Sequence, residues 1–242
     1  FTSAALSIPQ VLILPMTTSF GWRISDVTTA IGAMFLILAL FAPFGGALML
    51  RLGITKVAVT SCTLIILGLI LTVNATQTWH LYFSIGVCLG IASGILGLGL
   101  AATVATRWFE TRRGLVVGIL TSAFAAGQLA FVPITAWLTT RFEWQFSILP
   151  ILIGACLCAG LFFLFGKNWP SDLDVAPYGS DKLFMPPDTS KTNPFLTSIS
   201  CFLEAIRHPA FWVLAITFFI CGLTSNGLIS QHFIPFCSDN NI

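Results

Sequence analysis

The chain has 242 residues, of which 56% are hydrophobic and only 8% are charged, and its mean hydropathy is +0.93. Because soluble domains carry about 25% charged residues, this composition excludes a water-soluble globular protein and indicates that lipid is the natural solvent. A net charge of +2 also excludes the strongly basic surface on which nucleic-acid binding depends, so we expect no nucleic-acid partner.

Seven stretches are long and apolar enough for a membrane-spanning helix, which needs about 20 residues. They are residues 1–19, 27–50, 57–77, 80–106, 114–140, 145–166 and 210–236. The first stretch starts without a methionine, and the chain ends soon after the last stretch. We therefore expect the sequence to be part of a longer protein.

The segment between the sixth and seventh stretches has a different composition. Residues 167–209 contain six prolines and nine charged residues, which predicts a water-exposed linker. Within it, residues 194–207 are predicted to form a short helix, because Asn193 can cap it and Pro194 suits its first turn. The apolar side chains of this helix share one face, which we expect to lie on the membrane surface. They are Phe195, Ile199, Phe202 and Ile206.

The connections between the spans alternate in positive charge, which indicates their sidedness. One alternate set contains only Arg23 and Arg141, whereas the other contains nine basic residues. The nine are Arg51, Lys56, Arg107, Arg112, Arg113, Lys167, Lys182, Lys191 and Arg207. By the positive-inside rule the richer set is cytoplasmic. We expect a multi-pass protein of the cell (inner) membrane with its N-terminus and loop 167–209 in the cytoplasm.

Two helix ends share a pattern. The stretch "PFGGALMLRLG" from Pro43 and the stretch "PITAWLTTRFE" from Pro133 both fit P-x4-L-x2-R-[LF], so Arg51 corresponds to Arg141. An offset of three helices places the two copies at opposite faces of the membrane. Inverted three-helix repeats are typical of secondary transporters. The alternative is a chance match, because Pro and Leu are common in such helices.

Several stretches resemble one family. The stretch "GGALMLRLGITKV" resembles a loop signature of the major facilitator superfamily, G-x-L-x-D-R-x-G-x-x-[RK], although Leu50 occupies its acidic position. The matching residues are Gly46, Leu48, Arg51, Gly53 and Lys56. The stretch "RWFETRRGLVVGI", which starts at Arg107, is similar to the helix 4–5 region of the monocarboxylate-transporter-like branch. Three further stretches are similar to the same branch, namely "FGWRISDV", "NWPSDLDVAPYG" and "LEAIRHPAFWVL".

The resemblance implies an all-α membrane protein with three parts. These are a bundle of six helices in two inverted three-helix repeats (1–166), a cytoplasmic linker (167–209) and the first helix of a C-terminal bundle (210–242). It also implies a secondary active transporter that works by alternating access on a small, monocarboxylate-like organic anion or metabolite, by proton symport or exchange. The expected partners are the small-molecule substrate, a coupling proton and the lipid bilayer, without a cofactor.

Polar side chains at membrane depth are the candidates for a substrate cavity, because exposing them to lipid is costly. Ser7 and Gln10 flank Pro9 in the first span, and Gln128 lies in the middle of the fifth span with Phe124 on its side. The seventh span adds Asn226, Gln231 and His232. For each of these residues a hydrogen bond between helices is an equal alternative.

The basic loops have two interpretations. They either fix the topology alone or also form part of the cytoplasmic gate. The residues concerned are Arg51, Lys56, Arg107, Arg112 and Arg113, together with Gly46 and Gly53 of the signature loop. Small residues in the fourth and fifth spans are expected to let helices approach closely. They are Gly90, Gly94 and Gly97, and Gly114, Gly118, Ser122 and Ala126.

Other classes of protein fit the sequence less well. No Asp, Glu, Lys or Arg lies deep in a predicted span, and the spans contain no nucleophile–base pair or metal-ligand motif, so we expect neither an enzyme nor a metal site. The seven cysteines are interpreted as apolar filler. The alternatives are a seven-helix receptor and a half-size transporter that works as a dimer, and the sequence leaves the oligomeric state open.

Overall fold

The computed structural model describes residues 2–180 and 194–229, and the regular elements in these two ranges are all helical. The helices are α1 (Thr2–Phe20), α2 (Ile24–Leu52), α3 (Ile54–Val73), α4 (Thr78–Trp108), α5 (Arg113–Arg141), α6 (Trp144–Phe165), α7 (Pro194–Ala205) and α8 (Pro209–Cys221). Helix α4 contains a π-helical stretch, Tyr82–Leu89, and another, Gly222–Ile229, continues α8. The predicted all-α membrane fold is confirmed.

Helices α1 to α6 are each long and apolar enough to cross a membrane, and α7 together with α8 forms a seventh candidate that is bent by 95°. The first six predicted spans agree with these helices to within four residues at either end. The agreement has a physical reason: a backbone in hydrocarbon must satisfy its own hydrogen bonds, so the apolar stretches form helices.

Helices α2 and α5 match each other in length and layout. Each has 29 residues, a proline in its second half and an arginine in its last turn. In α2 these are Pro43 and Arg51, and in α5 they are Pro133 and Arg141. This match in layout supports an inverted repeat of α1–α3 and α4–α6 over a chance match of the sequence pattern.

The chain divides into two compact units, residues 1–194 and 195–242. The first unit has its main core among α1, α2, α3 and α4, with the first part of α6 added to it. Large side chains from each helix are fully buried there, namely Leu12, Met16, Met34, Leu69, Leu81, Leu89 and Ile148.

Glycines bring α2 and α4 together. A Cβ atom built at Gly94 would lie 2.7 Å from the carbonyl oxygen of Leu38, and one at Gly90 would lie 2.9 Å from that of Met34. At Gly45 of α2 the facing group is the backbone of Ile95. Only glycine permits backbones to approach so closely, which confirms the predicted packing role of Gly90 and Gly94.

Helix α5 packs in a different way from its sequence pattern. Its small residues, expected at a close helix contact, are exposed, and nothing lies within 4 Å of a Cβ atom built at Gly114 or Gly118. The prediction that these small residues lie at a close helix contact is therefore wrong within the first unit. The side of α5 that packs is the opposite arc, because Phe124 and Phe131 reach the main core and so fix the rotation of the helix.

The second unit contains a rigid elbow between α7 and α8. Trp212 Nε1 donates a hydrogen bond to the carbonyl oxygen of Ile206 at 2.9 Å, and the rings of Phe202 and Phe211 pack edge to face with centroids 6.0 Å apart. His208 precedes α8, whose first residue is a proline, as helix starts favour. These contacts fix the 95° bend, and the predicted short helix is confirmed over Pro194–Ala205.

Substituting Gly94 with alanine is expected to lower the free energy of unfolding by about 1–3 kcal/mol, because the new Cβ atom overpacks the backbone of Leu38. The matched control is Gly118→Ala in α5, where nothing lies within 4 Å, and it should be neutral or stabilising by up to about 1 kcal/mol. Thermal unfolding of the detergent-solubilised protein measures both. Equal losses of stability would contradict the α2–α4 contact.

Because α7 lies at 95° to α8, a membrane-spanning α8 places α7 along the membrane surface. Spin labels at single cysteines, in a background without the seven native cysteines, test this. A label at Ile199 should be accessible to lipid-soluble oxygen, whereas one at Glu204, on the opposite face, should react with a water-soluble relaxation agent. Equal accessibility of the two labels would contradict a surface-bound α7.

Candidate functional site

A row of polar side chains follows one face of α1. At 3.6 residues per turn, Ser3, Ser7, Gln10 and Thr17 fall within an arc of about 80°. Ser3 and Ser7 are buried, and the Ser7 hydroxyl donates to the carbonyl oxygen of Ser3 at 3.0 Å. Within the described residues the buried Ser3 hydroxyl has no hydrogen-bond partner. Of the two residues predicted here, Ser7 is thus already bonded within its own helix, whereas Gln10 is half-buried.

The polar face of α1 meets the packed arc of α5. The two helices approach closely at Gly127, where an added Cβ atom would lie 2.6 Å from Ser3 Oγ. Gln128 follows Gly127 directly, and both are half-buried, as is the predicted neighbour Phe124. Gln128 therefore lies on the half-buried side of α5 and not on its exposed small-residue side. We call this boundary between α1 and α5 the polar seam.

Two amides of the polar seam are available for binding. Neither Gln10 nor Gln128 makes a side-chain hydrogen bond within residues 2–180 and 194–229. A side-chain amide has two N–H donors and one carbonyl acceptor, and leaving them unpaired in an apolar environment is costly. These two residues are consequently the strongest candidates for contact with a polar ligand among those predicted.

A polar cavity of about 470 Å³ opens where α1 and α5 end and α6 begins. Its lining includes Thr18, Ser19, Thr139, Glu143 and Gln145. The aromatic rings of Phe20 and Trp144 meet edge to face beside it, with centroids 5.9 Å apart. Sequence reasoning missed this group, although the repeated F-x-W pattern at 20–22 and 142–144 could have indicated it.

The same end of the unit holds an exposed ion pair. Arg23 Nη2 lies 3.1 Å from Asp26 Oδ1, and this is the only ion pair among the described residues. Its hydrogen bond to Asp26 raises the pKa of Arg23 above the ordinary value. Because the Arg23 side chain is 82% exposed, the pair contributes little to stability.

At the opposite end, which we call the basic end, Arg107 is buried, with only 4% of its surface exposed. Its Nη2 atom donates to the carbonyl oxygen of Met49 at 2.9 Å, and its Nη1 atom donates to that of Asn168 at 3.3 Å. The guanidinium also lies 4.1 Å from the ring centroid of Trp169. Arg107 therefore joins the ends of α2 and α4 to the segment that follows α6.

The other predicted loop residues lie at the surface or in the helix ends. Arg51, Lys56, Arg112 and Arg113 are exposed. Arg113 Nε donates to the carbonyl oxygen of Phe109 at 2.6 Å, within its own loop. Arg112 precedes α5 with a left-handed backbone (φ 58°). The structure thus separates Arg107 from the other four basic residues.

Gly53 is a required glycine, whereas Gly46 is not. Gly53 joins α2 to α3 with φ 88° and ψ 156°, a region that essentially only glycine occupies, and a Cβ atom there would meet the Asn168 side chain. Gly46 lies inside α2 with nothing within 4 Å of a Cβ atom. Both match the family signature, but only Gly53 has a visible structural reason.

Of the candidate residues in the seventh predicted span, one lies within the described residues and two do not. Asn226 belongs to the π-helical stretch Gly222–Ile229, and Gln231 and His232 lie outside the described residues. Among the described residues there is also no group of three His, Cys, Asp or Glu side chains close enough to hold a metal ion.

Comparison with known proteins places the chain in a family. The sequence profile of the Major Facilitator Superfamily matches residues 1–239. The chain is 29% identical over 197 residues to the uncharacterized MFS-type transporter YhjX of Escherichia coli K12, an alignment that covers 81% of the chain and 44% of YhjX. It is 36% identical over 108 residues to monocarboxylate transporter 13 of Rattus norvegicus, covering 45% of the chain and 25% of that protein.

A third relative matches nearly the whole chain. The uncharacterized MFS-type transporter YcxA of Bacillus subtilis is 25% identical over 240 residues, which cover 96% of the chain and 53% of YcxA. The chain spans about half the length of these relatives, or less.

The substitution Gly53→Ala is expected to lower the free energy of unfolding by about 1–3 kcal/mol, because alanine at this φ and ψ is strained. Gly46→Ala, in the same loop signature, is the matched control and should be neutral or slightly stabilising. Chemical or thermal unfolding in detergent compares the two. If both variants keep the stability of the unmodified protein, Gly53 does not adopt this φ and ψ.

Proposed function

The chain belongs to the major facilitator superfamily, and from this premise we propose that it works as a secondary active transporter of a small organic anion or metabolite. The proposed substrate class is a small monocarboxylate, which the similarity to monocarboxylate transporters 13 and 11 supports. Transport would occur by alternating access, with proton symport or exchange as the driving reaction.

The observation that carries this proposal is the polar seam. Gln10 and Gln128 lie on facing helices, are half-buried and have no hydrogen-bond partner within the described residues. A polar side chain turned to lipid is costly, but one turned to a water-filled cavity is not. We therefore assign both amides to the wall of the substrate cavity, with Phe124 as its apolar neighbour.

Amide groups can supply part of the recognition of a carboxylate substrate. Their N–H groups can donate to carboxylate oxygens, and such neutral hydrogen bonds contribute about 1 kcal/mol each. They do not neutralise the charge of an anion, and no Lys, Arg, Asp or Glu lies deep in a described span. We therefore place the cation that pairs with the substrate, and any proton-binding acid, outside the described residues.

The two ends of the polar seam would have different roles. The 470 Å³ cavity at the ends of α1 and α5 is the proposed extracytoplasmic opening. The basic end is proposed to be cytoplasmic, by the positive-inside rule. Exposed Arg112 and Arg113 are available there for the gate, because their side chains are not enclosed by the bundle.

Uptake of radiolabelled lactate and other small monocarboxylates into proteoliposomes tests the proposal, with protein made from the complete gene. Gln10→Leu and Gln128→Leu should each raise KM about fivefold, the effect of losing one neutral hydrogen bond. An inward proton gradient should stimulate uptake if symport drives it, whereas substrate inside the vesicle should stimulate it under exchange.

Thr63→Val is the control for these variants. Thr63 is exposed in α3 and, among the described residues, its hydroxyl donates only to the carbonyl oxygen of Val59, so uptake should stay unchanged. Unaltered KM in both glutamine variants would overturn the assignment of the polar seam. Absence of uptake for every monocarboxylate tested would overturn the substrate class.

A further inference from the structure

Residues 166–180, which follow α6, have a defined place in the first unit. We name them the strap. We propose that the strap is a permanent structural tie, with Arg107 as its buried cation, that joins the basic ends of α2, α3 and α4 into one rigid layer. In this role Arg107 is a positioning residue that keeps the same partners throughout, and only the exposed arginines remain for a gate. The tie itself stands on the contacts alone, whereas its permanence during transport rests on the proposed function.

The first support is the chemistry around Arg107. A buried cation needs acceptors, and within the described residues Arg107 has no carboxylate partner. Its acceptors are instead the carbonyl oxygens of Met49 and Asn168. The carbonyl of Met49 belongs to the last turns of α2, where the helix dipole is negative and favours a cation. Trp169 covers the guanidinium with its ring.

The second support is the way Asn168 reaches α3. Its Oδ1 atom accepts a hydrogen bond from the backbone N–H of Thr55 at 3.1 Å, in the first turn of α3 where such donors lack helical partners. The backbone N–H groups of Asn168 and Trp169 in turn donate to Asp172 Oδ2 at 3.0 and 3.1 Å. The strap thus satisfies groups at the ends of α3 and α4, and Arg107 of α4 satisfies a carbonyl group at the end of α2.

The third support is a separate attachment at the far end of the strap. The N–H of Tyr178 donates to the carbonyl oxygen of Trp108 at 2.9 Å, and the N–H of Glu110 donates to the carbonyl oxygen of Tyr178 at 3.0 Å. Between the two attachments, Pro170 and Pro177 are buried. The strap is therefore held at both ends, with a buried proline next to each attachment, whereas residues 172–175 between them are exposed.

The tie also has a consequence for the loop signature. The acidic position of the family pattern is Leu50 here, and this side chain is 42% exposed. The bond from Arg107 to the main chain of the neighbouring Met49 holds the same turn without an acid. This bond between Arg107 and Met49 does not depend on the protonation of a carboxylate.

Distance measurement between two spin labels tests the tie. The labels go at Val175 of the strap and at Lys56, both exposed, in protein without its native cysteines. We expect one narrow distance distribution that stays the same with and without lactate and at different pH values. Arg107→Gln should broaden it and lower the unfolding temperature by about 5 °C or more. The matched control Arg113→Gln should change neither.

Two milder variants test the tie if the Arg107→Gln protein does not fold. Trp169→Leu and Asn168→Ala each remove one contact and leave the cation, so each should give a smaller broadening and a smaller loss of unfolding temperature. Where Arg107→Gln folds, its combination with Trp169→Leu should be less than additive. Unchanged distances and stability in these variants would overturn the tie. A narrow distance that shifts with lactate or pH would overturn its permanence and make Arg107 a switching residue.

Discussion

This structure depends on one constraint: hydrocarbon offers no hydrogen-bond donors or acceptors, so the backbone must satisfy its own hydrogen bonds. In hydrocarbon each unpaired N–H or C=O group costs several kcal/mol, so the chain crosses as helices and leaves irregular backbone at their ends. The helix ends then hold the unsatisfied groups. At the basic end the strap and Arg107 of α4 supply partners, because Asn168 accepts from the start of α3 and Arg107 donates to the end of α2.

Two sides of the first unit are packed differently, and this difference bears on the proposed transport function. On one side, glycines bring the backbones of α2 and α4 within contact distance, which leaves no space for a ligand. On the other side α5 contacts its neighbours through one arc, and its amide Gln128 has no partner among the described residues. The closely packed α2–α4 side suits a bundle that moves as one body. The α5 side, with Gln128, suits the proposed part of a substrate cavity.

Neighbouring arginines at the basic end have opposite environments. Arg107 is enclosed by carbonyl oxygens and an aromatic ring, whereas Arg112 and Arg113 are exposed only a few residues later. The cause is the end of α4 at Trp108: the residue before it still faces the helices of the bundle, and the residues after it belong to a surface loop. A shared charge therefore does not imply a shared role.

The sequence by itself determined the length and order of α1 to α6, because helix length is set by membrane thickness and a run of apolar residues measures it directly. It also indicated which polar residues lie at membrane depth. Only the tertiary structure decided how each helix is rotated, so that the small residues of α5 are exposed and Gln128 is half-buried. It also showed that the first part of the linker predicted over 167–209 is attached to the bundle through Asn168 and Tyr178, although residues 172–175 between them are exposed. These features depend on contacts such as Arg107 with Asn168 and Asn168 with Thr55, which are 61 and 113 residues apart in the chain and leave no local pattern.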